Sequence, residues 1–277
     1  MSRRHTILFA ALALAALILS ACGAAAPEIQ EVSYTATEYS FEGPAEIEAG
    51  LTRIRLDNEG QELHHAQLIR LGEGMTMDDL GAAMQEGRVP ESISWQGGAS
   101  VAVPGGGVSA VVDLEPGSYV LLCVIPDSEG TPHAQHGMVM PVQVTEDGAQ
   151  QAEPPEADLT MTLRDFEFEL SESVSAGEQT IHVVNEGPQP HEVAVVQLAP
   201  DASVEDFMAA IQPGSESEGP PPGMPVGGLQ VIDSGDEGYF TTTFESGSRY
   251  ALICFHPDQE TGQPHAALGM VQTFTVE

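Results

Sequence analysis

The chain repeats itself. Val32-x-Tyr34-x-Ala36-x-x-Tyr39-x-Phe41 returns 127 positions later as Leu159-x-Met161-x-Leu163-x-x-Phe166-x-Phe168. The same step carries Gly50 to Gly177, Asn58 to Asn185, Gly60 to Gly187 and His64 to His191. It widens to 131 between Cys123 and Cys254, and to 132 between His133 and His265 and between Met138 and Met270. Small loop insertions account for that drift. A solenoid unit spans about 20–50 residues, so a period this long marks a duplicated domain. The expected boundaries are 29–147 and 158–277, joined by a polar, proline-bearing linker at 148–157.

Both copies read as short strands. Thr52–Leu56 and Thr180–Val184 alternate with period two, and so do Val108–Leu114 and Tyr239–Phe244. Val193–Leu198 is a more fully apolar run. Glycine and proline separate the segments, the pattern of a β-sandwich. One helix interrupts each copy. Thr76-Met-Asp-Asp79 and Ser203-Val-Glu-Asp206 are capping boxes. Leu80, Ala83 and Met84, then Phe207, Ala210 and Ile211, follow at helical spacing, predicting helices near 77–86 and 204–212.

Each copy closes on one chemical pattern. An apolar run ends at Cys123 or Cys254, a loop rich in Pro, Gly and Asp follows, and then come a histidine and, five positions on, a methionine. These are His133 and Met138 in the first copy, His265 and Met270 in the second. Thiolate, imidazole and thioether are donors that copper prefers. A second histidine is available upstream in each copy, His64 and His191. None of His65, His136, His182 and His256 has an aligned histidine: His65 reads as a bystander or a backup, His136 and His256 as incidental, and His182 as an exposed strand residue. Asn58 and Asn185 read as groups that pin loops. A Cys123–Cys254 disulfide is the plain alternative, and it requires equivalent sites of two similar domains to approach within about 7 Å.

This arrangement resembles the cupredoxins, the blue-copper β-sandwich family. The family's Asn-x-Gly turn before the first ligand is matched by Asn58-Glu-Gly60…His64 and Asn185-Glu-Gly187…His191. Its closing Tyr…Cys…His…Met segment is matched by Tyr119, Cys123, His133, Met138 and by Tyr250, Cys254, His265, Met270. The resemblance implies an all-β fold of two tandem Greek-key sandwiches with one short helix each. It implies one copper per domain, held by His64, Cys123, His133 and Met138, and by His191, Cys254, His265 and Met270. One departure stands out. The family separates Cys from its second His by two to four residues, whereas nine and ten intervene here. The composition of the insert predicts a tight surface excursion.

The N-terminus gives an address. Arg3 and Arg4 precede an apolar run from Ile7 to Leu19, the pattern of a signal peptide over 1–22. Leu19-Ser20-Ala21-Cys22 resembles a bacterial lipobox, which implies lipidation of Cys22, a membrane anchor and a periplasmic or outer-surface location. The formal charge of −34 and the absence of lysine exclude nucleic acid as a partner. Either a redox protein of opposite charge or a salty environment suits such a surface. The leading expectation is electron transfer by a copper-binding lipoprotein. The alternatives are a metal-free binding module and copper sequestration or delivery. No His-x-His pair of the kind that holds further copper in oxidases is present, so the sequence predicts no enzyme.

Overall fold

A computed structural model describes residues 28–86, 88–146, 152–212, 214–215 and 221–277. The expected signal peptide, with Cys22, and residues 148–151 of the expected linker lie outside the described residues. The first half contains β1 (Gln30–Thr37), β2 (Ser40–Glu42), β3 (Glu46–Glu48), β4 (Gly50–Asn58), β5 (His64–Leu71), α1 (Met77–Gln85), β6 (Ile93–Ala102), β7 (Gly107–Leu114), β8 (Gly117–Leu122) and β9 (Val139–Thr145). The second contains β10 (Leu159–Arg164), β11 (Glu167–Leu170), β12 (Gly177–Asn185), β13 (His191–Leu198), α2 (Val204–Ala210), β14 (Gly223–Ile232), β15 (Glu237–Phe244), β16 (Arg249–Ile253) and β17 (Val271–Thr275). The fold is all-β with two short helices.

Two sheets pack face to face. One runs β11-β10-β12-β15-β7-β4-β1-β2, the other β17-β16-β13-β14-β6-β5-β8-β9-β3. Each half contributes strands to both layers. The alternation read from the sequence is the burial pattern observed: along β4, Thr52, Ile54, Leu56 and Asn58 turn inward while their neighbours stay partly exposed. In β13 the first six residues are all buried, because this strand is central and covered on both faces.

The sheets continue across the two halves. β7 pairs antiparallel with β15, matching Ala110 to Phe240 and Val112 to Gly238. β6 pairs antiparallel with β14, matching Ala99 to Leu229 and Gln96 to Ile232. Gln67, fully buried on β5, accepts from the Val231 amide at 2.8 Å and donates to the Val231 carbonyl at 3.0 Å. One apolar core therefore runs through both halves, from Tyr34 and Leu121 to Phe240 and Tyr250.

Both helices begin where their capping boxes place them, at Thr76 and Ser203. Leu80, Ala83 and Phe207 are buried, whereas Ile211 falls beyond the end of α2 and is exposed. Gly81 lies mid-helix, and a Cβ added there meets nothing within 4 Å. Gly81→Ala should stabilise the fold by about 0.5–1 kcal/mol through reduced chain entropy. Thermal unfolding should show a rise of about 2–3 °C.

Candidate metal centres

The first histidine of each half opens a buried strand and is placed by the turn before it. Asn58 is buried; its amide donates to the Glu62 carbonyl at 2.7 Å and the Ala102 carbonyl at 2.9 Å. Its side-chain oxygen accepts from the Gly60 amide at 2.9 Å. Asn185 repeats this with Gln189, Ile232 and Gly187. Both asparagines thus hold their loops. The glycine is needed because a Cβ at position 187 would lie 2.7 Å from His191 Nε2 and 2.8 Å from Asp165 Oδ1.

That closeness admits a carboxylate to the back of each ring. His191 Nε2 lies 2.6 Å from Asp165 Oδ1, and His64 Nε2 lies 3.4 Å from Glu38 Oε1. A carboxylate there accepts a hydrogen bond from Nε2–H, which keeps the proton on Nε2 and leaves the Nδ1 lone pair bare and facing inward. Burial lowers the pKa of both imidazoles, with the carboxylates opposing it. Glu38 and Asp165 were missed in the sequence, although the 127-residue step aligns them as acids.

Each cysteine follows the last residue of a fully buried strand segment, β8 or β16. Both are free and buried thiols. Burial pushes the Cys123 thiol up to about 12 and raises Cys254 as well. Unless a metal takes the proton's place, these sulfurs stay protonated at neutral pH.

The long insert closes on itself. Pro126 and Pro132 form an isolated bridge, as do Pro257 and Pro264. Inside the first loop the Asp127 amide donates to the Thr131 carbonyl at 2.9 Å, and the Asp127 carboxylate caps Glu129 and Thr131. The excursion therefore leaves and re-enters at one point. The His133 amide then donates to the Ile125 carbonyl at 2.9 Å and the Ala134 amide to the Cys123 carbonyl at 2.7 Å. His265 and Ala266 repeat these bonds to His256 and Cys254. Each histidine starts a short 3-10 turn, ended by Gly137 or Gly269 in the left-handed conformation. Next come Met138 and Met270, fully buried, whose carbonyls accept from the Cys123 and Cys254 amides.

Donor atoms converge at two points. Cys123 Sγ lies 3.5 Å from His133 Nδ1, which lies 3.2 Å from His64 Nδ1. Cys254 Sγ lies 3.5 Å from His265 Nδ1 and 4.0 Å from His191 Nδ1, and the two nitrogens are 2.9 Å apart. Within each trio all donor atoms lie within 4.8 Å of one another. Three donors about 2.0–2.3 Å from one ion would stand about 3.3–3.7 Å apart. By spacing, burial and donor type the two trios fit copper, one ion per half.

Outside the trios, His65 and Glu192 occupy matching places. His65 Nε2 accepts from the Val124 amide at 3.1 Å, and Glu192 Oε1 accepts from the Phe255 amide at 3.0 Å. Both buried groups therefore tether the residue after the cysteine. Their types differ because the position requires only an acceptor. Burial drives His65 down to about 3 and Glu192 up to about 7. His256 is also buried, with its ring 5.7 Å from that of His265. His136 stays at the surface, 2.8 Å from Asp127 and stacked on Tyr39.

No protein-family model matches the chain, and no curated protein matches it. Solved structures do. Auracyanin A, a blue copper protein from Chloroflexus aurantiacus, matches at 18% identity over 43% of this chain and all of its own, with a TM-score of 0.31. A multicopper oxidase matches at 14% over 90% of this chain and 89% of its own, with a TM-score of 0.25. The copper-containing nitrite reductase of Thermus scotoductus SA-01 matches at 12% over 89% of this chain and 61% of its own, also at 0.25. The last two are enzymes, which corrects the expectation of no enzyme.

Proposed function

We propose that the protein is an exported, lipid-anchored carrier of electrons with one type 1-like copper centre in each half. The observation that carries this reading is the pair of buried His–Cys–His trios, each assembled from two central strands and a closed loop. Copper held by such a set supplies one-electron chemistry, cycling between Cu(II) and Cu(I). His64, Cys123 and His133, and His191, Cys254 and His265, would be its main ligands, with Met138 and Met270 as weak axial donors. The strands fix the first His and the Cys, and backbone bonds across the loop neck fix the second His. Little rearrangement therefore accompanies a change of charge, which favours fast transfer.

The direct test is the visible spectrum of soluble mature protein after Cu(II) is added. An intense thiolate-to-copper band is the expected result. A colourless protein with no bound copper would return the chain to a metal-free binding module. The anchor is checked separately: mass spectrometry of the natural protein should find cleavage before Cys22 and acylation of its thiol, and an unmodified terminus would remove that part. Among the described residues no helix is long and apolar enough to cross a membrane. A redox partner of positive charge is proposed on the acidic composition, and association should weaken as salt rises.

Asp165 should tune the second centre. Cu(II) bound to a thiolate leaves one net positive charge, whereas Cu(I) leaves none. A carboxylate behind His191 favours the charged state and holds the ring in register. Asp165→Asn should weaken Cu(II) affinity by about 10–100-fold. With Cu(I) affinity unchanged, the potential rises by about 60–120 mV, at 59 mV per tenfold. Voltammetry and Cu(II) competition titration check both. An unchanged potential would mean that Asp165 only packs.

A further inference from the structure

His133 and His265 are both fully buried, so neither carboxy-terminal ligand of the proposed centres meets solvent. An electron must then cross protein atoms, and the two halves offer different atoms. Beside His265 stands His256, its ring centroid 5.7 Å away and edge-on. Beside His256 stands Trp95, 5.2 Å away and again edge-on. Trp95 belongs to the other half: it lies on β6, across the seam from β14. Asp233 pins it, accepting from the Trp95 amide at 2.9 Å while its own amide donates to the Trp95 carbonyl at 3.1 Å. Trp95 is the only tryptophan of the chain and is partly buried, whereas His256 is buried.

The first half lacks this series. Ile125 occupies the place of His256, as the matching bonds His133–Ile125 and His265–His256 show. Pro225 takes the place of Trp95 when the Gly97-Gly98 and Gly227-Gly228 pairs are aligned. Ring-to-ring contact through the loop neck is thus particular to the second centre. Indole and imidazole hold higher-lying filled π orbitals than aliphatic chains, so they lower the barrier an electron tunnels through.

We propose that Trp95 and His256 form the electron door of the second centre, a route from the surface of the first half to His265. It rests on the copper reading above. One electron leaves an external one-electron donor, which is oxidised, and reaches the second centre, where Cu(II) becomes Cu(I). No bond is made or broken, no proton moves, and neither ring is itself oxidised. Phe166, whose ring lies 4.9 Å from that of His265, is the competing door. Its aligned residue Tyr39 stands equally near His133, at 4.8 Å, so that contact is common to both halves and does not distinguish them.

The test uses the full mature chain carrying Cys123→Ser, so that only the second centre is coloured. Stopped-flow reduction by hexaammineruthenium(II), a small cation drawn to an acidic surface, reads the loss of the band. Trp95→Leu and His256→Ile should each remove most of the reduction rate, with the band position and the potential unchanged. Trp95→Phe should keep most of it. Trp95 fluorescence should be quenched on copper loading in Cys123→Ser and far less in Cys254→Ser. Full speed in both Trp95→Leu and His256→Ile overturns the proposal, and so does slowing only by Phe166→Leu. Equal slowing by Trp95→Phe and Trp95→Leu would reduce the contact to packing and also overturn it. Should one variant lose its colour, the other decides. A parent protein without a band fails the copper reading instead, before any rate is measured.

Discussion

Replacing Cys254 with serine is expected to abolish the visible band of the second centre and to leave that of the first. The band depends on a soft thiolate bound to Cu(II), and a hydroxyl cannot replace it. The site leaves no substitute sulfur: Cys123 belongs to the other trio, and Met270 offers a thioether, a weak axial donor. Cys254 is fully buried, so the new hydroxyl also lacks water, at a cost of about 1–3 kcal/mol if unpaired. Melting curves should therefore accompany the spectra, to separate loss of ligand from loss of fold. Cys123→Ser should give the mirror result, and the double variant should be colourless. Met270→Leu should keep the colour and raise the potential, because only a weak bond is lost. A band of undiminished intensity in Cys254→Ser, or any band in the double variant, would mean that the second trio does not hold a chromophore of its own.

Much of this was legible because the internal repeat acts as a control. His64, Cys123, His133 and Met138 were picked out because each has a counterpart of the same type. Alternation located the main strands, and Thr76 and Ser203 located the helix starts to the residue. What was hidden obeys other physics. His65 and Glu192 do the same work with different side chains, since accepting one amide hydrogen bond needs no particular residue type. The return of His133 and His265 from their long inserts depends on the pinch between two prolines, a contact that spacing alone does not reveal. The seam was hidden as well. β6 and β14 carry Gly97-Gly98 and Gly227-Gly228 in mid-strand, which interrupts alternation and looks like a turn. Contacts across that seam, such as Trp95 with His256, join residues that no repeat aligns.

Gly228→Ala is expected to be the most damaging small substitution in the second half. Gly228 has φ +129, outside the conformations that side chains favour, and a Cβ there would lie 2.0 Å from the Val193 carbonyl oxygen. That neighbour is backbone of β13, two residues beyond His191, and its valine is fully buried. It cannot swing aside as a flexible side chain would. Ser100 Oγ, across the seam, lies 3.0 Å from the same point and closes the other side. Backbone strain of about 1–3 kcal/mol and overpacking of about 1–3 kcal/mol together give about 2–6 kcal/mol. The melting temperature should fall by about 5–20 °C. Any relief by moving β13 displaces His191, so the copper band of the second centre should weaken or shift in whatever protein remains folded. Gly262→Ala separates the two causes. Gly262 also has positive φ, at +70, but a Cβ there meets nothing within 4 Å. It should lose only the cost of the left-handed conformation, about 1–2 kcal/mol, with the band unmoved. If both variants melt together and both keep the band, the approach of β14 to β13 is not what requires glycine at position 228.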